Sequence, residues 1–237
     1  MRLTILGNNG PFPGAKGACS GYLLESDSRE TRLLIECGSG VLGRLFSILP
    51  PRDLTGIVLS HLHFDHMSDM LPMQYALQKQ PPLRNLPVFA PESPAQTRAL
   101  LDCPWMDLLP AKDAVLGEMA LRFIPAIHPV EGVCLAVECD GARMVFTGDT
   151  NENPLLELFA DGASLILADA GLNDHDWTPQ APHLSAALCG KLAASCRAEK
   201  LLLTHINPLY DAEALLAEAQ RFFPGAEIAR PGARYVL

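Results

Sequence analysis

The stretch S-H-L-H-F-D-H-M, residues 60–67, decides the fold of this chain and directly follows the apolar run 56–59. It places four side chains that can bind metal close together: His61, His63, Asp65 and His66. Alternate residues of an extended strand share a face, so we expect the first two imidazoles side by side. The following turn should bring the other two ligands to a second position. Imidazole with some carboxylate is a ligand set that zinc favours, so the stretch predicts a site for two metal ions.

Three further candidate ligands each follow a strand-like apolar segment: His128, Asp149 and His205. Gly148 precedes Asp149, and its missing side chain allows the backbone to turn sharply there. Polar residues at the ends of separate strands can meet at one edge of a sheet, where a rigid scaffold positions them. The three residues are therefore expected beside residues 60–67.

Strands and helices alternate along the chain, which predicts an α/β fold. The expected strands cover residues 2–6, 21–25, 32–36, 56–59, 87–90, 120–127, 134–138, 143–147, 164–168 and 201–204. The expected helices cover residues 41–49, 67–78, 94–101, 185–196 and 212–222. Asp211 is expected to cap the last helix, and Asp140-Gly141 predicts a two-residue hairpin.

Length and composition point to one domain spanning residues 1–237, because 49% of the chain is apolar and one sizeable core suffices. No apolar run is long enough to cross a bilayer, and the first residues resemble a strand and not a signal peptide. The seven cysteines are odd in number and scattered through apolar segments, which indicates buried thiols. We therefore expect a cytoplasmic protein.

The order of the candidate ligands resembles the metallo-β-lactamase superfamily of binuclear zinc hydrolases. The shared pattern is H-x-H-x-D-H, a strand-end His, a G-D-T aspartate and a T-H near the C-terminus. Segments L-G-N-N-G-P-F-P (6–13), L-I-E-C-G-S-G (34–40) and H-L-S-A (183–186) resemble the ribonuclease Z branch and its smaller phosphodiesterase relatives. The resemblance covers nearly the whole chain, and it implies the four-layer αββα sandwich of that superfamily.

The resemblance also implies two zinc ions, with Mn²⁺ or Fe²⁺ as alternative metals. One ion would be held by His61, His63 and His128. The second would be held by Asp65, His66 and His205, and Asp149 would bridge the pair. Asp65 and Asp149 thereby count among the catalytic residues as well. Many true β-lactamases have Cys where this chain has Asp149, so antibiotic hydrolysis is disfavoured.

A metal-bridging hydroxide would be the nucleophile, and its attack on a phosphodiester leaves an alkoxide that needs a proton. His183 resembles the His of the ribonuclease Z segment that reaches the scissile phosphate. Asp169 stands where that family has an acidic partner for the His. We therefore expect His183 and Asp169 to form a general acid pair, with a capping or structural role for either as the alternative.

Other polar positions are interpreted more simply. The cluster 173–176 lies in a loop without strand support, so we expect it to be solvated or to face substrate. Lys16 lies in a Gly-rich loop whose motif only partly matches the family, which makes phosphate contact a weak prediction. Glu36 stands where the family usually has Asp, and its extra methylene changes a contact to the loop that carries the first ligands.

The expected substrate is a small or cyclic phosphodiester. The net charge of −9 and the lack of a Lys/Arg-rich stretch disfavour a nucleic acid without excluding it. Ribonuclease Z holds tRNA with a long arm, and residues 128–205 leave no room for one. Ribonuclease Z-like tRNA 3′ processing, thioester or lactone hydrolysis, and a non-enzymatic binding role remain alternatives. A homodimer that completes a nucleic-acid surface is also left open.

Overall fold

The computed structural model describes residues 1–237 and contains two seven-stranded sheets flanked by helices. The strands are β1 (Arg2–Gly7), β2 (Gly21–Glu25), β3 (Arg32–Ile35), β4 (Gly56–Val58), β5 (Leu86–Ala90), β6 (Met106–Pro110), β7 (Ala114–Leu116), β8 (Met119–Pro125), β9 (Val133–Cys139), β10 (Ala142–Phe146), β11 (Leu165–Asp169), β12 (Leu201–Thr204), β13 (Glu227–Ile228) and β14 (Arg234–Val236). The helices are α1 (Val41–Phe46), α2 (Phe64–Met67), α3 (Met70–Lys79), α4 (Ala95–Arg98), α5 (Pro154–Phe159), α6 (Ala186–Ser195) and α7 (Ala212–Gln220).

The two sheets have matching topologies. The first has the strand order β14-β1-β2-β3-β4-β5-β6, and the second has the order β13-β12-β11-β10-β9-β8-β7. In the first sheet β3 to β6 pair in parallel, and in the second β10 to β13 do so. The remaining pairs are antiparallel. Parallel strands point their carboxyl ends to the same edge, so each sheet offers one edge where residues after several strands can meet.

Three clusters of buried apolar residues explain why the strand sequences are continuously apolar. One core cluster lies between the sheets and takes alternate residues from both, such as Leu33 and Ile35 of β3 and Leu165 of β11. The residue between the first two, Leu34, packs in a second cluster with α1 and α3. A third cluster joins the outer face of the other sheet to α6 and α7. Strands buried on both faces need apolar side chains at every position, and the result is the expected αββα sandwich.

The expected hairpin and helix cap are confirmed. Asp140 and Gly141 have φ values of 53° and 75°, as a two-residue turn with two left-handed positions requires, and they join β9 to β10. The Asp211 carboxylate accepts a hydrogen bond from Glu213 N at the start of α7. These local signals were sufficient because each depends on neighbouring residues alone.

The expected helix 67–78 is wrong at its start. The helical segment begins at Phe64 and is interrupted before α3, since Asp69 N donates to Cys37 O and not to a carbonyl of its own helix. The Asp69 carboxylate in turn accepts a hydrogen bond from Leu42 N of α1. The expected helix 94–101 is likewise divided into α4 and a 3-10 turn. No helix in the structure is both long and apolar enough to span a membrane.

Candidate metal centre

All seven expected ligands follow the carboxyl ends of strands and converge at one edge of the sandwich. The segment after β4 carries four of them, two in the loop and two in α2, and an isolated bridge between His61 and Gly132 connects it to the second sheet. The other three follow β8, β10 and β12, as the sequence predicted. Gly148 has φ 57°, and a Cβ there would lie 2.8 Å from Val133 O, so glycine is needed just before Asp149.

The first group consists of His61, His63 and His128. Nδ1 of His63 lies 3.0 Å from Nε2 of His61 and 3.3 Å from Nε2 of His128. Burial lowers the pKa of all three imidazoles below the usual value, and repulsion from neighbouring imidazoles adds to that effect. A lowered pKa favours the neutral ring, which is the form that binds a metal.

The second group consists of Asp65, His66 and His205. Oδ2 of Asp65 lies 3.3 Å from Nε2 of His66 and 3.1 Å from Nε2 of His205. Burial disfavours charge on the His205 ring, but the carboxylates of Asp149, Asp169 and Asp65 outweigh it and raise its pKa to about 10. The pKa of His66 is likewise raised against burial by carboxylates. Several carboxylates therefore surround these two rings, and a cation bound between them would offset their negative charge.

Asp149 lies between the two groups. Its Oδ2 atom is 3.7 Å from Nε2 of His61 and 3.3 Å from Nε2 of both His66 and His205. The side chain is only 3% exposed. One carboxylate therefore faces nitrogen atoms of both groups.

The spacing of these atoms fits metal ions. Ligand atoms about 2.0–2.2 Å from one tetrahedral metal lie roughly 3.4 Å apart, close to the separations found here. Both ring nitrogens of His66 are buried without a hydrogen bond of acceptable geometry, although carboxylate oxygens lie 3.3–3.4 Å away. Buried polar atoms normally have partners, and an ion at Nε2 would provide one. The His/Asp cluster is able to bind metal.

The second nitrogen of four imidazoles faces a protein oxygen. Nδ1 of His61 lies 3.1 Å from Ser60 Oγ, and Nδ1 of His128 lies 3.0 Å from Pro182 O. Nδ1 of His66 is 3.4 Å from Glu36 Oε2, and Nδ1 of His205 is 3.4 Å from Asp169 Oδ1. Such contacts set the ring orientation and the tautomer, which leaves Nε2 directed to the cluster.

The expected contact of Glu36 with the ligand loop is present. Its Oε1 atom accepts a hydrogen bond of 2.7 Å from Ser60 N, and the carboxyl group is fully buried. Burial raises the pKa of this carboxyl, while the neighbouring His66 and Ser60 oppose that shift. Glu36 and His205 are non-glycine residues with φ of 61° and 55°. Such strained positions cluster at functional sites.

His183 and Asp169 lie beside the cluster. Nδ1 of His183 donates a 2.9 Å hydrogen bond to Oδ2 of Asp169 and lies 3.7 Å from Oδ2 of Asp149. Burial opposes charge on this ring, yet the two carboxylates raise its pKa above the usual value. The Asp169 carboxylate also accepts hydrogen bonds from Thr150 N and Gly171 N, which fix its position.

His183 does not begin a helix. It lies two residues before Ser185, whose hydroxyl caps α6 by accepting a hydrogen bond from Leu188 N. The expectation that H-L-S-A opens the helix is therefore correct only from the serine onward. The ring of His183 is 17% exposed and reaches the mouth of the cluster from a loop.

The remaining polar side chains singled out in the sequence belong to no group of candidate ligands. His175 is 94% exposed and pairs with Asp176, which agrees with the solvated loop that was expected there. Lys16 is exposed in the loop after β1. Sequence reasoning missed the Pro182 carbonyl, which gives no side-chain signal. It also missed Asn151, which follows the G-D-T segment and is almost fully buried.

Comparison with known proteins gives one family and several relatives. The family model "Beta-lactamase superfamily domain" matches residues 31–206. The chain is 31% identical to the probable metallo-hydrolase YhfI of Bacillus subtilis, with 98% of each chain covered. It is 26% identical to ribonuclease Z of Bradyrhizobium diazoefficiens, with 96% of each covered.

Solved structures give the same result. The crystal structure of the metallo-beta-lactamase fold protein YhfI matches with a TM-score of 0.92 at 28% identity, over 99% of this chain and 98% of that chain. The short form of human tRNase Z matches with a TM-score of 0.77 at 18% identity, over 100% and 99% of the two chains. The second match shows a shared fold.

Proposed function

This chain belongs to the metallo-beta-lactamase superfamily, and from that membership we propose that it is a binuclear zinc hydrolase that cleaves a small or cyclic phosphodiester. The single observation that carries the proposal is the His183–Asp169 pair, 2.9 Å apart, beside two groups of metal-binding side chains. A proton donor next to a metal pair suits a reaction with a poor leaving group.

In the proposed site, His61, His63 and His128 would hold one zinc ion. Asp65, His66 and His205 would hold the other, and Asp149, which faces nitrogen atoms of both groups, would contribute to both. When bound, the zinc pair supplies Lewis-acid activation of water and of the phosphoryl group. Manganese or iron could occupy the same nitrogen and oxygen ligands, so the metal that is present in the cell has to be measured.

His183 supplies the proton to the departing oxygen. The Asp169 carboxylate accepts the Nδ1 hydrogen, which leaves Nε2 as the nitrogen that holds the transferable proton. Because Asp169 is itself held by Thr150 N and Gly171 N, the imidazole is oriented before substrate arrives. The carboxylates of Asp169 and Asp149 raise the pKa of His183, which favours the protonated form that a general acid needs.

Charge and chain length support a small substrate. The chain carries a net charge of −9, which repels a long phosphate backbone. Residues between His128 and His205 form β9, β10, α5, β11, α6 and β12, and the longest connection among them is residues 170–185. The alignment with the bacterial ribonuclease Z runs over 294 positions, so that enzyme has positions with no counterpart in this chain of 237 residues.

The second candidate function is removal of 3′ trailers from precursor tRNA. The relatives named ribonuclease Z and tRNase Z favour it. A homodimer could supply a nucleic-acid surface that one chain lacks. Thioester or lactone hydrolysis on the same metals has less need of an acid such as His183, and no relative reported above favours it.

A substrate panel tests the proposal. The zinc-loaded protein should hydrolyse bis(p-nitrophenyl) phosphate and a cyclic nucleotide, and it should cut a precursor tRNA poorly at physiological salt. Efficient and site-specific trailer removal would overturn the small-substrate proposal. Hydrolysis of thioesters or lactones without any phosphodiester cleavage would overturn the reaction class.

A further inference from the structure

The side chain of Asn151 makes three hydrogen bonds to the segment that leads into His183. Its Nδ2 atom donates hydrogen bonds to Ala181 O at 2.7 Å and to Thr178 O at 3.2 Å. Its Oδ1 atom accepts from Trp177 Nε1 at 2.9 Å. Glu152 N donates to the same oxygen at 2.7 Å. Both donor hydrogens and both acceptor positions of the amide are thus used.

Asn151 also contacts the segment that carries His128. Its backbone N donates to Ile127 O at 2.9 Å, and Ile127 N donates to the hydroxyl of the neighbouring Thr150 at 2.9 Å. Pro182 directly follows Ala181, and its carbonyl oxygen lies 3.0 Å from Nδ1 of His128. Residues 150–151 therefore lie between the segment before His128 and the segment before His183.

We propose that Asn151 is a positioning residue that clamps residues 177–182 over the metal centre and thereby orients both His128 and His183. The clamp acts on His128 through the Pro182 carbonyl and on His183 through the chain that precedes it. Its kinetic consequence rests on the proposed function, whereas the clamp itself and its effect on metal binding do not.

The clamped segment has few other attachments near the site. Residues 174–176 and 178–180 are exposed. Asp174 contacts Ser185 Oγ, and Asp176 accepts a hydrogen bond from Tyr210 OH, so neither side chain contacts a candidate ligand. Asn151, by contrast, is 3% exposed and bonds to the segment three times. Loss of its side chain would leave the Trp177 N–H and the Ala181 carbonyl without their partner, while Thr178 O would keep only the hydrogen bond from Ala181 N. The segment should therefore move away from His128.

The first test follows the emission of Trp177. The chain has two tryptophans, so Trp105→Phe leaves Trp177 as the only indole. In the zinc-loaded protein, Asn151→Ala should shift this emission to the red and increase quenching by acrylamide. Asn153→Ala is the matched control, because Asn153 bonds to Leu155 N and Pro125 O and not to residues 177–182. That control should lower thermal stability without changing the emission.

The second test measures metal binding and kinetics in the native background. Asn151→Ala should lower the affinity for the zinc ion held by His128 by roughly tenfold, as the loss of an outer-sphere contact does. Asn153→Ala should leave this affinity unchanged. On a phosphodiester with an alkoxide leaving group, kcat should fall at nearly constant KM. On bis(p-nitrophenyl) phosphate, whose leaving group departs without a proton, kcat should change little. Asn151→Asp retains the acceptor oxygen and serves if the alanine variant does not fold.

The outcomes separate the clamp from the proposed function. Unchanged Trp177 emission in both Asn151 variants would overturn the clamp. A shifted emission with unchanged zinc affinity would show a loose loop and overturn the positioning role. If the wild-type protein cleaves no phosphodiester, the proposed function fails, while emission and zinc titration still decide the role of Asn151.

Discussion

His183→Ala removes the imidazole that donates to Asp169 at 2.9 Å and lies at the mouth of the metal cluster. Asp149 Oδ2 is 3.7 Å from the same ring, so the two carboxylates stabilise its protonated form. A positioned general acid contributes about 10²- to 10⁴-fold to the rate. This range corresponds to about 2.7–5.5 kcal/mol of transition-state stabilisation. We expect a loss of kcat in this range on a substrate with a poor alkoxide leaving group.

The assay compares two leaving groups on one variant. The loss should be much smaller on bis(p-nitrophenyl) phosphate, because p-nitrophenolate departs without a proton. Asp169→Asn should show the same dependence more weakly, because it supports and orients the imidazole without donating the proton. Bound zinc should stay at the wild-type level in His183→Ala.

The matched control is His175→Ala. His175 also pairs with an aspartate at 2.9 Å, but it is 94% exposed and belongs to no group of candidate ligands, so its loss should leave kcat unchanged on both substrates. Equal losses on good and poor leaving groups in His183→Ala would refute proton donation and indicate substrate positioning. Loss of zinc would instead give His183 a role in holding metal.

The other predictions concern the metals. Asp149→Ala should lose both zinc ions, whereas His205→Ala should retain one, and elemental analysis of the two purified variants distinguishes them. Glu36→Gln keeps the size of a buried side chain but removes the carboxylate that faces His66. The affinity for one zinc ion, measured by competition with a chelator, should therefore fall by about 10- to 100-fold. Equal zinc affinity in Glu36→Gln and wild type would contradict that role. Removal of zinc by a chelator should lower Tm, because an ion bound at about 1,000 times its Kd stabilises the fold by about 4.1 kcal/mol, or roughly 8–16 °C for a chain of this size. An unchanged Tm after complete zinc removal would show that the ions do not stabilise the fold.

Residues with local signals were predictable. Three patterns can each be recognised from a few neighbouring residues: the H-x-H-x-D-H segment after an apolar strand, the G-D-T turn and the Asp140-Gly141 hairpin. The strands buried on both faces were found because their apolar runs are continuous. These features were sufficient to bring the seven candidate ligands together at one sheet edge.

Features that depend on distant partners were not predictable. β14 pairs with β1 only because the chain returns to the first sheet at its end, and β6 is an edge strand in which buried and exposed residues alternate. α5 is an exception to both statements, because it was missed although its helix-start signals are local: Asn153 caps it and Pro154 begins it. The Pro182 carbonyl beside His128 had no signal, because a backbone atom has none in a sequence.

The zinc content of the purified wild-type protein tests the central claim of a binuclear centre most directly. Elemental analysis after zinc reconstitution and removal of loosely bound metal should give close to two zinc ions per chain. Asp149→Ala, measured in the same way, should give a value near zero. One ion or none in the wild-type protein would contradict the binuclear centre.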